Sequence, residues 1–383
     1  MLTVEDYREV ARRRLPKLVF DYIDGGAESE YTVQANRRAF ESVALRPHGG
    51  MDPSGIEIGV SVLGTDLSMP IILAPCGSAG VVRSGGDLAG ARAASAAGTI
   101  FTHSTMSSDR IEDVVKAANG ASVWYQVYRV GPMSRVEAAI DRARDAGVAA
   151  LVITFDTSVG SLRVRDRRNG GLALLGSSYM RAIPGFLRLT GSPRWLADHV
   201  VHGLRPKLMN VIQEDGTPQI LGRGPAPNGL TWEDLTWVKE RFGGPIIVKG
   251  LLTGEDAAHA VDEGAAAVVV SNHGGRQLDT ADATLRALPE VVAAVNGHCE
   301  VLLDGGIRSG TDVIKALSLG ARAVLIGRPW LFGLAVGGDS GIGEVLEVLR
   351  TGVSRNLALL GVKKVSELDS RFVRVPSDWD PAS

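Results

Sequence analysis

The chain reads as a closed α/β structure, a TIM (β/α)8 barrel, and three observations carry that reading. Eight short apolar, β-branched runs recur along its 383 residues. Ala-rich amphipathic segments long enough for crossover helices separate most of them. The polar residues that end these runs are rich in groups able to do chemistry, and a barrel of this kind carries its reactive groups at the C-terminal ends of its strands. An open doubly wound sheet is the rival architecture, but it usually has fewer strands and a glycine-rich turn after the first one, which the sequence does not offer.

The N-terminal stretch 1–60 reads as a helical cap on a single domain spanning 1–383. Val4 to Arg14 has helical apolar spacing and stops at Pro16, and the run Phe20 to Asp24 is broken by Gly25-Gly26. The candidate strands, within a barrel at 70–360, are Pro70–Ala74, Thr99–Phe101, Val123–Val127, Ala150–Thr154, Ile246–Lys249, Ala267–Ser271, Val301–Asp304 and Ala323–Ile326. Helices are expected over Gly90–Ala97, Arg135–Ala146, Gly254–Glu263 and Thr311–Leu319. A long insertion after strand 4, residues 170–228, breaks the rhythm. It carries Met180, Ile183, Phe186, Leu187, Trp195, Leu196 and Val200 beside Arg181, Arg188, Arg194, Arg205 and Lys207, with Asp198 the only acid from 171 to 210. Such a segment suits an active-site lid, or a surface that meets a membrane or quinone pool.

Composition narrows the classes of function. An apolar share of 45% with 22% charged residues suits a compact globular body, and a net charge of −2 gives no general attraction for nucleic acid or anionic membranes. The partner is expected to be a small molecule. Cys76 and Cys299 are far apart and form no CxxC, which leaves neither a disulfide framework nor a thiolate metal site and fits a reducing cytoplasm. No stretch reaches the ~18 apolar residues of a membrane span, and the first residues lack the apolar core of a secretory signal.

The strand ends hold Ser104 after strand two, Gln126 and Tyr128 at three, Thr154 and Asp156 at four, and Lys249 at five. His273 and Arg276 follow strand six, Asp304, Gly305, Gly306 and Arg308 strand seven, and Gly327 and Arg328 strand eight. The clusters 304–310 and 326–329 point to a bound phosphate: glycines let backbone N–H groups approach its oxygens, and Arg308 and Arg328 add bidentate charge. Lys249 at the end of an apolar strand suits an anionic reduced flavin, with Schiff-base chemistry as the rival. The string SNHGGRQLD at 271–279 places a group titrating near neutrality, His273, three residues before a carboxylate clamp, Arg276. Asp156 faces the same mouth and can hold the imidazole tautomer.

With this string the sequence resembles the FMN-dependent 2-hydroxy acid oxidase and dehydrogenase family, which includes glycolate oxidase, L-lactate oxidase and dehydrogenase, and mandelate dehydrogenase. Further matching segments are DYIDGGAESE at 21–30, WYQVY at 124–128, TFDTSVGSLRVRDRRNG at 154–170, VKGLLTGEDA at 248–257 and LLDGGIRSGTDVIKALSLGA at 302–321. The resemblance implies that FMN is held by Ala74, Pro75, Cys76, Gly77, Ser104, Gln126, Thr154, Lys249, Ser271, Asp304, Gly305, Gly306, Arg308, Gly327 and Arg328. It also implies that Tyr22, Arg163 and Arg276 hold the substrate carboxylate, Tyr128 the 2-hydroxyl, and that His273 removes a proton while Asp156 orients it.

Departures from the family pattern lie around the flavin. Ala74-Pro75-Cys76-Gly77 stands where many members read Ala-Pro-Thr-Ala, and Met106 stands where a bulky side chain is common. The expected reaction is oxidation of a small L-2-hydroxy acid, lactate-, glycolate- or mandelate-like, to the 2-oxo acid, with electrons passing to oxygen or a quinone-type acceptor. Oxidation of an amino-type centre by a related FMN barrel is the alternative, and a flavin-binding protein without turnover is a third. The family also suggests a homotetramer or larger assembly, and the insertion suggests peripheral contact with a membrane.

Overall fold

A computed structural model describes residues 1–379 apart from 51, 53, 170–190, 203–206, 214 and 222–227. Eight parallel strands close into a barrel: β1 (Ile71–Leu73), β2 (Phe101–Ser104), β3 (Val123–Val127), β4 (Ala150–Thr154), β5 (Ile246–Leu251), β6 (Ala267–Val270), β7 (Glu300–Leu303) and β8 (Ala323–Ile326). Neighbours in sequence are neighbours in the barrel, and β8 pairs with β1 through Val324 and Ile71. All eight expected strands are present. The second lies further along than the apolar run suggests, because its last residues, Thr102, His103 and Ser104, are polar yet fully buried.

The period of two along each strand sorts side chains between two cores. Ile72, Trp124, Val152, Ile247, Val269, Leu302 and Leu325 fill the barrel interior. Their sequence neighbours Ile71, Tyr125, Ile153, Val248, Val268, Leu303 and Val324 face the surrounding helices. Stepping two residues from each interior position to the C-terminal end of its strand reaches Ala74, Gln126, Thr154, Lys249, Ser271, Asp304 and Gly327. The register aligns Ser104 with Gln126 and Thr154 with Lys249. The same alternation that buries the core therefore delivers a polar ring to one mouth.

Helices cover the outside at Gly86–Ala97, Met133–Asp145, Gly254–Asp262 and Gly310–Ser318, close to the expected spans. The last is opened by a capping box in which Ser309 accepts from the Asp312 N–H at 3.2 Å and Asp312 accepts from the Ser309 N–H at 2.9 Å. The N-terminal extension forms helices Val4–Arg14, Lys17–Asp24 and Tyr31–Ser42. The first packs along the long C-terminal helix Arg328–Leu360, which kinks at Gly338 with φ +65°.

The insertion contributes a helix, Pro193–His202, and a hairpin of Lys207–Ile212 with Pro218–Ile220. Trp195 donates to the Val81 carbonyl at 2.8 Å, and Asn210 reaches His103 on β2 at 2.9 Å, so both pieces are fastened to the barrel. Met180, Arg181, Ile183, Phe186, Leu187, Arg188 and Arg205 lie outside the described residues. No described helix is long and apolar enough to cross a membrane.

Candidate active site

The polar ring opens into a cavity of about 450 Å3 at the C-terminal mouth. Its wall includes Tyr22, Ala74, Pro75, Cys76, Gly77, Ser104, Gln126, Tyr128, Thr154, Arg163, Lys249, His273, Arg276, Asp304, Gly305, Gly306, Arg308, Gly327 and Arg328. Two expected site residues stand behind this wall: Ser271 under Lys249 and Asp156 behind His273.

At the floor, Ser104 Oγ donates to Gln126 Oε1 at 3.1 Å and Gln126 Nε2 donates to Thr154 Oγ1 at 3.2 Å, so three adjacent strand ends form one hydrogen-bonded row. Lys249 is buried at 4% exposure, and its Nζ donates to Ser271 Oγ at 2.6 Å and to Asp304 Oδ2 at 2.8 Å. Burial works against its charge, but Asp304 and Asp156 outweigh that and raise it above the ordinary lysine value. A lysine held as ammonium is a poor Schiff-base nucleophile, so this pairing argues against the rival chemistry.

On one side, Gly305 and Gly306 run at φ +88° and +93°, and a Cβ on Gly306 would lie 2.9 Å from the Asn36 carbonyl. Arg308 and Arg328 converge beside them. Burial, together with repulsion from Arg37, pushes the Arg308 guanidinium down to about 10; burial, with Arg276 and Arg308, pushes Arg328 to about 9. Arg328 Nε and Asp304 Oδ1 are buried with no hydrogen-bond partner among the described residues. Two crowded cations beside left-handed glycines fit a phosphate, and the orphaned Asp304 oxygen fits a hydroxyl donor, so the residues present suit the tail of an FMN.

On the other side, His273 is held at φ +57°, a left-handed conformation rare outside glycine. Its Nδ1 lies 2.9 Å from Asp156 Oδ1, and its Nε2 lies 3.5 Å from the Tyr128 hydroxyl. An ionised carboxylate only accepts, so Nδ1 carries the proton and Nε2 keeps a free lone pair toward the cavity. Burial, reinforced by Lys249 and Arg163, lowers the His273 pKa against the pull of Asp156. Burial alone would raise Asp156, but His273 and Lys249 outweigh it and hold the carboxyl below its usual range. The imidazole is neutral at rest and the carboxyl behind it ionised.

Arg163 faces this pair and has no side-chain hydrogen bond or ion pair to a described residue; burial and the nearby Arg276 push it down to about 10. Arg276 spends Nη1 on the carbonyls of Tyr22 and Gly25, at 2.6 and 3.0 Å, and lies over the Tyr22 ring at 5.1 Å. Its remaining N–H groups have no partner among the described residues. The N-terminal cap is thus part of the site: the Tyr22 hydroxyl donates to the Gly77 carbonyl at 3.1 Å, and Arg328 Nη2 donates to the Gly25 carbonyl at 2.8 Å.

Sequence reasoning did not single out several supporting residues. Thr157 donates to Asp156 Oδ1 at 3.0 Å, and Gln277 Nε2 donates to the Asp156 carbonyl at 2.8 Å. Asn36 and Asn272 exchange reciprocal amide bonds of 2.9 and 2.8 Å that seat the His273 loop on the N-terminal extension. Leu221, from the insertion, lines the cavity with Met106. The only signal for Thr157 was its place beside Asp156; the asparagine pair, 236 residues apart in sequence, left none.

A family model described as FMN-dependent dehydrogenase matches residues 11–375. The L-lactate oxidase of Nostoc sp. is 41% identical over 373 residues, covering 97% of each chain. The (S)-mandelate dehydrogenase of Pseudomonas putida is 38% identical over 378 residues, covering 98% of this chain and 94% of that protein. A crystal structure of the monotopic membrane protein (S)-mandelate dehydrogenase superposes with a TM-score of 0.89 at 36% identity, covering 98% of this chain and 100% of the other.

Proposed function

The chain belongs to the FMN-dependent dehydrogenase family, flavoenzymes that oxidise 2-hydroxy acids, and from that premise we propose that it converts a small L-2-hydroxy acid, from glycolate to mandelate in size, into the 2-oxo acid. The observation that carries this reading is Arg163, which faces the His273–Asp156 pair and has no side-chain hydrogen bond or ion pair among the described residues. A half-buried cation with no side-chain partner among the described residues calls for an anion, and it lies where a proton acceptor waits.

Bound FMN supplies the two-electron acceptor for the bond broken at C2. Arg163 and the free edge of Arg276 would take the substrate carboxylate, and Tyr128 would hydrogen-bond the 2-hydroxyl. His273 Nε2 would accept the proton, as general base, and Asp156 would stabilise the imidazolium that forms. Proton removal from the hydroxyl with hydride departure, and proton removal from carbon, both use this same atom. The ammonium of Lys249, tied to Ser271 and Asp304, would add a fixed positive charge beside the flavin. Gly77 and Met106 border the cavity, and a missing methyl beside a flexible thioether supports acceptance of side chains larger than a hydrogen.

The test is an anaerobic screen of L-lactate, glycolate and (S)-mandelate against the flavin absorbance of purified protein. Bleaching by at least one is expected. Bleaching only by an amino compound, or by nothing, overturns the proposal. Reoxidation by air or by a quinone analogue then identifies the acceptor. Exposed Val200 and Val201, on the helix Pro193–His202 of the insertion, support peripheral contact with a membrane through 170–228, which vesicle flotation tests. A homotetramer is the expected assembly, measured as native mass.

A further inference from the structure

We propose that Thr157 is a positioning residue, closing a ring of four side chains with Tyr128, His273 and Asp156 and fixing the carboxylate on which the base depends. This inference rests on His273 being the base in the reaction proposed above. Two sides of the ring are short, His273 Nδ1 to Asp156 Oδ1 at 2.9 Å and Thr157 Oγ1 to Asp156 Oδ1 at 3.0 Å. The other two, Tyr128 hydroxyl to His273 Nε2 and to Thr157 Oγ1, are both 3.5 Å, open enough to tighten around a substrate hydroxyl.

Thr157 is buried at 6% exposure, so its hydroxyl must find partners within the protein. It has one proton to give. Asp156, held ionised, accepts only, so the proton goes to Asp156 Oδ1 and the Thr157 lone pairs face Tyr128. Asp156 Oδ1 therefore takes two donors, while Oδ2 is buried with no hydrogen-bond partner among the described residues. Without the Thr157 donor, the imidazole would be the one hydrogen-bond donor left to that carboxylate among the described residues. Gln277 already ties down the backbone here, through the carbonyls of Asp156 at 2.8 Å and Val159 at 3.3 Å, so the Thr157 hydroxyl acts on the side chain.

The charged and titratable groups facing His273 are Asp156 from the end of β4, Lys249 from β5, Arg163 from the loop beyond Asp156, and Tyr128 from the end of β3. Of these, Asp156 is the one that favours the imidazolium. A second donor on the same oxygen diverts part of that attraction, so removing it should strengthen the hold of Asp156 on the protonated ring while loosening its aim.

Three FMN-loaded variants test this: Thr157→Val, which keeps the shape, Thr157→Ser, which keeps the hydroxyl, and Thr157→Ala, which removes both and stands in if Val does not load FMN. The readouts are anaerobic flavin reduction by the most active of L-lactate, glycolate and (S)-mandelate, its KM, and the ring titration of His273 by NMR in the oxidised protein. For Thr157→Val the expected result is reduction slowed on the order of tenfold with KM within about twofold, and the His273 titration moved up by about half a unit. Thr157→Ser should restore rate and titration together. A Val variant matching the wild type in both readouts overturns the proposal, as does a Ser variant as impaired as Val, or a loss carried wholly by KM. Failure of the wild type to bleach with any hydroxy acid would overturn the proposed function instead, and the His273 titration would still decide the role of Thr157.

Discussion

Replacing Asp156 by Asn removes one charge from the pair and keeps its shape. The carboxylate is 11% exposed and the imidazole 22%, with Oδ1 and Nδ1 at 2.9 Å. Charges spread over a carboxylate and a ring in such contact act at about 4 Å, and at an effective dielectric near 20 they attract by about 4 kcal/mol. That is about three pK units of support for the imidazolium. Lys249 and Arg163 would remain, both opposing a positive ring. The imidazolium is only partly formed at the transition state, so flavin reduction should slow by about 10²- to 10³-fold. Anaerobic stopped-flow absorbance with the best hydroxy acid measures this directly. The pH profile supplies an independent sign. The neutral imidazole is the active form, so kcat/KM is lost as pH falls through the His273 pKa; without the Asp156 charge that pKa drops and the acidic limb moves to lower pH. A loss below tenfold, or a limb moving to higher pH, would refute the assignment of Asp156 as the group behind the base.

Other perturbations probe the remaining parts of the mouth. Arg276→Lys should raise KM by roughly thirtyfold with a smaller change in kcat, because an ammonium cannot hold the Tyr22 and Gly25 carbonyls and also present a planar edge to a carboxylate; an unchanged KM would remove Arg276 from the clamp. Gly250→Ala should lower both the melting temperature and the rate of flavin reduction, since a Cβ at φ +102° would lie 2.8 Å from the Asp156 N and 2.9 Å from its Cβ, adding about 1–3 kcal/mol of backbone strain; a variant with native Tm and rate would contradict this. Stripping FMN should lower Tm, because Arg308 and Arg328 then face each other without an anion; a ligand at 1,000 times its Kd contributes about 4 kcal/mol. Inorganic phosphate should recover part of the loss, and equal Tm with and without FMN would count against the phosphate site.

The barrel and its reactive mouth were legible in the chain because both follow from alternation. Ile247 points inward, so Lys249 does too, and the same step of two leads from Val269 to Ser271 and from Leu302 to Asp304. That rule needs nothing beyond the strand itself. It weakened only at β2, where Thr102 and His103 are buried but polar and hid the true extent of the strand.

Beyond the strand ends, direction depends on loop dihedrals and on partners distant in sequence, which alternation does not encode. His273, Gly274 and Gly275 run at φ +57°, +63° and +76°, and that turn, seated by Asn36, aims the imidazole back at Asp156. Tyr22 reaches the cavity because Arg276, 254 residues later, grips its carbonyl. Residue types and spacing were thus enough to collect a base, an acid, a buried lysine and several arginines at one end of a cylinder. Tertiary packing alone decided that Asp304 neutralises Lys249, that Arg163 has no partner among the described residues, and that Thr157 completes the ring around the His273 imidazole, because desolvation and pairing exist only once distant segments have met.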